Sequence, residues 1–157
     1  MNALWGTALD AEAQLEAFID KYSSEVAKEA RRALVFLQKR LPTASRLVYD
    51  NYNALVVGFG ASERVSDIIL SIALYPKYLR LFFLRGLALP DPHGLLEGGG
   101  STVRSVKLTP VSRLETDEVA ALIDAAVSNA PPLPAAGDGP LIIKSVSAKQ
   151  RPRRPIA

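Results

Sequence analysis

Hydrophobic residues at helical spacing mark the first part of the chain. They recur three or four positions apart in two runs, Leu15, Phe18, Ile19 and Tyr22, then Val26, Ala30, Ala33, Leu34 and Leu37. That spacing places each run on one face of a helix. Ser23 or Ser24 interrupts the pattern and can cap a second helix, while Pro42 ends it. The pattern therefore predicts two helices, or one bent helix, over about residues 8–40, with Thr7 as the first cap.

After Pro42 the helical spacing gives way to short runs rich in β-branched, aromatic and leucine residues. The stretch RLVYDNYNALVVGFG predicts two strands joined around Asp50 and Asn51, because these residue types tolerate the backbone angles of tight turns. The stretch SDIILSIALYPKYLRLFFLRG predicts a second pair that turns between Tyr75 and Tyr78, where a proline is acceptable. A fifth strand is predicted in TVRSVKL.

A last helix is predicted after Thr116, which can cap it with Asp117 and Glu118 in the first turn. Its apolar stripe consists of Val119, Leu122, Ile123, Ala126 and Val127. The order of helices, about five strands and a helix predicts an α+β fold. In this fold the N-terminal helices and the C-terminal helix cover one face of a mostly antiparallel sheet.

The end of the chain differs in composition from the rest. We assign residues 8–130 to the α+β domain, and residues 131–157 to a linker rich in proline and glycine, a possible edge strand and a basic tail. The linker is PPLPAAGDGP and the possible strand is LIIKSV. The tail, AKQRPRRPIA, is expected to be disordered.

Composition narrows the functional classes. The chain has 157 residues, which favours one domain, and its lack of cysteine excludes disulfides and thiolate metal sites. Residues 141–157 hold five of the 19 basic residues and none of the 16 acidic ones, which leaves 14 basic residues elsewhere. The net charge of +3 therefore comes from the tail. Because no aromatic residues are interleaved with the tail's arginines, we do not expect nucleic acid as a partner.

The hydrophobic runs also bear on location. The longest, such as IILSIALY, are far shorter than the roughly 20 residues that span a bilayer. The first residues, MNALWGTALDAEAQ, lack both the basic and the apolar region of a signal peptide. We expect a soluble, cytoplasmic protein with no membrane contact.

The stretch LPDPHGLLEGGGSTVRSVKL contains the only histidine of the chain, His93, and a run of three glycines. A zinc site needs three or four ligands, mostly His or Cys, and a phosphate loop leads into a helix, so both are disfavoured here. A mechanical interpretation accounts for most of the stretch. Asp91 can cap one helical turn with Pro92 in its first position, and the glycines can form a hinge before the fifth strand.

Five consecutive polar residues, YDNYN, lie between two apolar runs and can line a pocket. We predict that Tyr49, Asp50, Asn51 and Tyr52 bind a small polar or anionic molecule. Two further residues are predicted near the rim of this pocket, namely His93 and Arg104, of which the arginine would take a carboxylate or phosphate. The alternative for YDNYN is a turn with solvated polar groups.

One other site and one other activity remain open. Glu12, Glu16 and Asp20 follow one another at four-residue spacing, so they form an acidic row along one helix edge. Oxygen ligands of this kind suit a hard cation, although a solvated face partnered by nearby lysines is the alternative. An enzyme of unknown reaction, with Asp50 as the base, is also open.

Several segments in order resemble the YdhG-like domain, a bacterial domain family largely of unknown function. They are FIDKYSSEVAKEARRAL, LVYDNYNALVVGFG, LSIALYPKYLRLFFLRG and the stretch around His93, which together span about residues 14–128. The resemblance implies an α+β fold with a curved antiparallel sheet. One branch of the family is regarded as a frataxin-like intracellular iron chaperone, which would map iron onto Glu12, Glu16 and Asp20.

Together these observations give three functional hypotheses. The first is a non-enzymatic module that binds a small molecule or a protein and needs no cofactor. The second is an iron-binding chaperone, and the third is an enzyme with a carboxylate base.

Overall fold

The computed structural model describes residues 8–156 and consists of helices packed on one sheet. The helices are α1 (Ala8–Ile19), α2 (Ser24–Arg40) and α3 (Asp117–Ser128), and the strands are β1 (Ser45–Asp50), β2 (Leu55–Gly60), β3 (Ile68–Leu74), β4 (Leu79–Phe83), β5 (Arg104–Lys107) and β6 (Leu141–Val146). Two separate N-terminal helices are thus confirmed. Thr7, predicted to cap the first of them, lies outside the described residues. None of the helices within residues 8–156 is long and apolar enough to cross a membrane.

The six strands form one curved, open sheet in the order β5-β4-β3-β2-β1-β6. Strands β1 to β5 pair antiparallel, whereas β6 pairs parallel with β1. The predicted α+β class and mostly antiparallel sheet are therefore confirmed. The stretch LIIKSV does form an edge strand, which raises the number of strands from the expected five to six.

The strand directions bring three chain segments to the same end of the sheet. The β1–β2 turn (residues 51–54) and the β3–β4 turn (residues 75–78) lie at this end, because antiparallel neighbours reverse direction. Since β6 runs parallel to β1, its last residues reach the same end. The C-terminal residues after Val146 therefore continue beside the two turns.

The core lies between the sheet and the helices. Alternate strand residues such as Phe59, Ile72 and Leu81 face it, and Leu37 of α2 and Ile123 of α3 pack against them. The hydroxyl of Tyr22, in the corner between α1 and α2, donates to the Leu74 carbonyl at 3.0 Å. It also accepts from the Leu55 N–H at 3.0 Å. These two bonds fix the helical corner to the ends of β2 and β3.

Local capping follows the sequence closely for the helices. The Ser23 hydroxyl accepts from Val26 N–H at 3.2 Å, and the Thr116 hydroxyl accepts from Val119 N–H at 3.4 Å. Both side chains satisfy a backbone donor in the first turn, which otherwise has no partner within the helix.

The turn at Asp91 differs from the prediction, because residues 91–96 do not form a helix. The Asp91 carboxylate instead accepts from the N–H groups of Leu95 at 2.8 Å and Leu96 at 2.9 Å. Gly94, which lies between Asp91 and Leu95, adopts a φ of +64° and so interrupts helical geometry. The residue caps a turn, so the mechanical role is right and the helical turn is wrong.

The C-terminal segment is packed onto the domain, so the expectation of a disordered tail is wrong. Gly139 approaches Ala44 so closely that an added Cβ would lie 1.7 Å from the Ala44 carbonyl oxygen. Further along, the Arg151 N–H donates to the Tyr52 carbonyl at 2.9 Å, and the Arg153 side chain is only 4% exposed. The basic composition of the tail predicted a solvated segment, because composition cannot show that Arg153 has a buried partner in Asp50.

Candidate functional site

A buried ion cluster holds the C-terminal segment in place. Asp50, the last residue of β1, has a fully buried side chain. Its Oδ1 accepts from Arg153 Nη2 at 2.8 Å, and its Oδ2 accepts from Lys21 Nζ at 2.9 Å. Each carboxylate oxygen thus receives a hydrogen bond from a cation, as buried charges require. Asp50 serves here as an anchor for other residues.

Arg153 is the matching anchor on the C-terminal segment. Besides the carboxylate, its guanidinium donates to the Asn51 carbonyl at 2.5 Å and to the Tyr52 carbonyl at 3.4 Å. The same group lies 5.7 Å from the centroid of the Tyr22 ring, within the range of a cation–π contact. One side chain therefore ties the segment to the β1–β2 turn and to the helical corner.

Anchoring Arg153 orients its neighbours towards solvent. Arg151 and Arg154 are exposed, whereas Arg153 between them is buried. Pro152 and Pro155 fix two backbone φ angles in the same segment, which restricts its freedom before any ligand arrives. We call residues 151–156 the C-terminal strap.

The strap and the two turns line a broad, open cleft. It has a volume of about 660 Å³, against about 150 and 170 Å³ for two smaller cavities elsewhere. Asn53 lines it from the β1–β2 turn, residues 75–78 line it from the β3–β4 turn, and the strap forms the other wall. We call it the strap cleft. Its size falls within the roughly 300–1,000 Å³ of small-molecule sites.

The charges that line the strap cleft are all positive. Within the described part of the chain, Lys77, Arg151 and Arg154 contact no carboxylate. Arg151 donates to the neutral Asn53 side chain at 3.5 Å, and Arg154 donates to the backbone carbonyls of Lys21 and Asp20. The nearby ion cluster adds to this charge, because Lys21 and Arg153 together outnumber Asp50. A concave surface with one sign of charge concentrates ions of the opposite sign.

Two tyrosines form an aromatic wall beside these cations. The rings of Tyr75 and Tyr78 stack with centroids 4.9 Å apart and an interplanar angle of 23°. The Lys107 ammonium lies 5.0 Å from the Tyr78 centroid. Burial, followed by the neighbouring Tyr78, raises the pKa of Tyr75 above its usual value, so its hydroxyl stays protonated at neutral pH. The cleft therefore presents hydrogen-bond donors, cations and a flat apolar surface.

The predicted residues Tyr49 to Tyr52 divide between different surroundings. Tyr49 precedes Asp50 in β1, so its side chain leaves the opposite face of the sheet. Its hydroxyl is buried and has no hydrogen-bond partner among residues 8–156, and burial raises its pKa. Asn51 contributes its carbonyl to Arg153, and Tyr52 is 46% exposed. The YDNYN stretch thus supports the strap, and Asn53 is the member that lines the cleft.

Arg104 does not share a site with Asp50. Arg104 begins β5 and pairs with Phe83 at the end of the sheet opposite to Asp50. Strands β2, β3 and β4 also separate β5 from β1, which is roughly 19 Å at the usual strand spacing. Its guanidinium donates to the carbonyls of Gly100 and Val103.

His93 also lies away from Asp50. It is exposed and lines a separate cavity of about 150 Å³ beside Asp117 and Glu118 at the start of α3. The structure therefore does not bring the predicted rim residues to the YDNYN stretch. Chain order could not show this, because the separation depends on strand order.

The acidic row, which follows α1 into the turn at Asp20, is paired with arginines. Arg31 donates to Glu16 at 3.0 Å and to Asp20 at 2.6 Å, and Arg46 donates to Glu12 at 3.3 Å. The solvated-face interpretation had proposed lysines as partners, and arginines of α2 and β1 fill that role. Among residues 8–156, no group of three or more His, Cys, Asp or Glu side chains is placed to hold a metal ion.

Most residues of the strap cleft were not predicted from the sequence as site residues. Two segments carried a signal for the cleft, namely the basic RPRRP, which has no acidic residue near it in the sequence, and YPKY between two predicted strands. Each segment had a simpler interpretation, as a solvated tail and as a turn. Only the parallel pairing of β6 with β1 brings the two together.

Comparison with known proteins adds no relative, since no family model, no curated protein and no solved structure matches the chain. The resemblance to the YdhG-like domain therefore stays a prediction that rests on the quoted segments alone.

Proposed function

We propose that this protein is a binding module that holds a small anionic molecule in the strap cleft. The observation that supports this most directly is the set of three cations, Lys77, Arg151 and Arg154, that line one cavity without a carboxylate partner. An anion would supply the missing counter-charge. The sequence predicts a ligand site at YDNYN, whereas we propose that the ligand binds next to it, between the β3–β4 turn and the strap.

The donor set favours carboxylate or phosphate groups over neutral ligands. Guanidinium groups present several N–H donors in one plane and bind such oxygens in pairs. Tyr75 adds a protonated hydroxyl, and the Asn53 amide adds a further donor. Most of the polar side chains that line the cleft can therefore donate to an acceptor-rich ligand at the same time.

The anchored strap also lowers the cost of binding. A free basic tail would lose conformational entropy when it closed over a ligand, by about 1–2 kcal/mol for each backbone residue that becomes fixed. Here Arg153 and the two prolines hold the strap before binding. Preorganisation of this kind increases affinity without any new contact.

Titration calorimetry with pyrophosphate and citrate as probes, and glucose as a neutral comparison, tests the proposal. We expect both anions to bind with affinity that falls as salt rises, because exposed charges are screened. Changing Arg151 and Arg154 together to Gln should weaken anion binding at least about tenfold, which corresponds to roughly 1.4 kcal/mol. Arg64→Gln is the matched control, since Arg64 is exposed and follows β2 at the other end of the sheet.

Two results would contradict the proposal. One is the absence of binding by either anion at low salt. The other is binding that survives loss of both strap arginines or weakens equally with Arg64→Gln. A protein partner, the iron chaperone, the enzyme and the cytoplasmic location all stay predictions from the sequence.

A further inference from the structure

The stacked tyrosines that close the β3–β4 turn also line the strap cleft. Both rings are half-buried and line the cleft, while the core is completed by other residues. The turn that carries them is closed by the Tyr75 N–H, which donates to the Tyr78 carbonyl at 2.9 Å. Lys107 is placed against Tyr78. The pair is therefore a fixed aromatic platform on the wall of a positively charged cavity.

The strap carries the charges that an anionic group would need. Arg151 and Arg154 lie on the strap, which lines the same cleft as the turn that carries the tyrosines. Asn53 also lines the cleft, where its amide oxygen accepts from Arg151 at 3.5 Å and its amide N–H groups can donate to a ligand. A ligand that fills the cleft thus meets a flat apolar surface, an amide and two guanidinium groups.

From this arrangement we propose that the ligand is a nucleotide unit, an inference that rests on the proposed anion-binding function. Its base stacks on Tyr75, because Tyr75 and the Lys107 ammonium lie over the two faces of the Tyr78 ring, and its phosphate is held by Arg151 and Arg154. Stacking on an aromatic side chain is worth about 1–3 kcal/mol per base and tolerates different bases. A simple inorganic anion would use the arginines and leave the aromatic wall and much of the 660 Å³ unfilled.

The same chemistry is found in a free nucleotide and in one unit of a single-stranded nucleic acid. The tail lacked the interleaved aromatic residues typical of single-strand binding, but the fold supplies them from the β3–β4 turn. The length of the bound ligand is therefore the quantity to measure.

The test uses calorimetry with AMP, ribose 5-phosphate and a five-residue oligo(A) on the full chain. We expect AMP to bind at least about tenfold more tightly than ribose 5-phosphate, since only AMP can stack. Tyr75→Leu should remove that difference, whereas Tyr75→Phe, which also lacks the hydroxyl but keeps the ring, should retain it. Ribose 5-phosphate should bind these two variants equally, because neither can donate from the hydroxyl. Equal ribose 5-phosphate affinity of the Leu and Phe variants also shows that the cleft of the Leu variant is still folded.

The outcomes separate the two proposals. If AMP and ribose 5-phosphate bind equally, or if Tyr75→Leu keeps the AMP preference, the nucleotide assignment is overturned and the anion site stands. If neither these phosphates nor pyrophosphate binds, both proposals fail. Tighter binding of oligo(A) than AMP, by more than about tenfold, supports a unit within a strand, and equal binding supports a free nucleotide.

Discussion

Replacing Arg153 by Met tests whether the buried ion cluster holds the strap. Met keeps much of the length of the side chain but removes three hydrogen bonds, to the Asp50 carboxylate and to the carbonyls of Asn51 and Tyr52. Breaking a buried ion pair from one side usually costs about 3–5 kcal/mol, because the remaining charge stays buried. In this protein Lys21 still pairs with Asp50, and the strap can detach so that water reaches the carboxylate.

Because Lys21 and water can both compensate the Asp50 charge, we expect a smaller loss in the free energy of unfolding, about 2–3 kcal/mol. For a chain of this length, that corresponds to a fall in Tm of roughly 4–12 °C. Urea unfolding measures the free energy directly. Hydrogen exchange provides a local measurement, because the Arg151 N–H bonded to Tyr52 and the Ser147 N–H bonded to Asp50 should both exchange faster.

Arg151→Met is the matched control, since the same change is made two residues away on an exposed side chain. It should alter stability by no more than about 0.5 kcal/mol. A double-mutant cycle of Arg153→Met with Asp50→Asn should give a coupling of about 1–3 kcal/mol. A loss of stability below about 0.5 kcal/mol for Arg153→Met, together with unchanged exchange of both amides, would refute the reasoning.

Three further predictions concern other parts of the fold. Burial raises the pKa of Tyr22 above its usual 10.0, so the contribution of its protonated hydroxyl to stability is complete below pH 10 and is lost as pH rises through the folded pKa. Tyr22→Phe should lower the free energy of unfolding by about 2–4 kcal/mol at pH 7, because two buried backbone groups lose their hydrogen-bond partner. In urea titrations at rising pH, the Phe variant should lose less stability under alkaline conditions than the native protein. Gly139→Ala should lower the free energy of unfolding by about 1–3 kcal/mol or displace β6, because the new Cβ would collide with the Ala44 carbonyl. Gly99→Ala is the control, since its Cβ meets no atom within 4 Å and should leave thermal unfolding unchanged. If ferrous iron binds the acidic row, Arg31→Ala should tighten iron binding under anaerobic conditions, because it removes the cation that pairs with two carboxylates of the row. Iron binding that is equal in the native protein and the variant, or absent from both, would count against that site.

The secondary structure could be predicted from the sequence because it depends on local spacing. The helical stripe that includes Leu37, the cap at Thr116 and the turn at residues 75–78 all follow from residues within a few positions of one another. The edge strand LIIKSV was visible as a short apolar run, but its partner was not. A short strand carries no information about which neighbour it will join or in which direction.

The candidate site illustrates that limit. Residues 49–53 stand out in the sequence as a polar run between apolar runs, yet Asp50 is an anchor and Tyr49 faces the other side of the sheet. Arg104 was grouped with them because it is a cation in a predicted strand, and strand order places it at the far edge. The acidic row on α1 was identified, and its arginine partners come from α2 and β1.

The sequence by itself determined the elements, the α+β class and the concentration of positive charge near the C-terminus. The tertiary structure decided what that charge does. Parallel pairing of β6 with β1 carries the tail past residues 51–54 and 75–78, and the buried carboxylate of Asp50 selects Arg153 as its partner. Arg151 and Arg154 then face a cleft with two tyrosines. Spacing along the chain predicts helices and strands because their hydrogen bonds are local or periodic, whereas the cleft depends on contacts between residues about 75 to 100 positions apart.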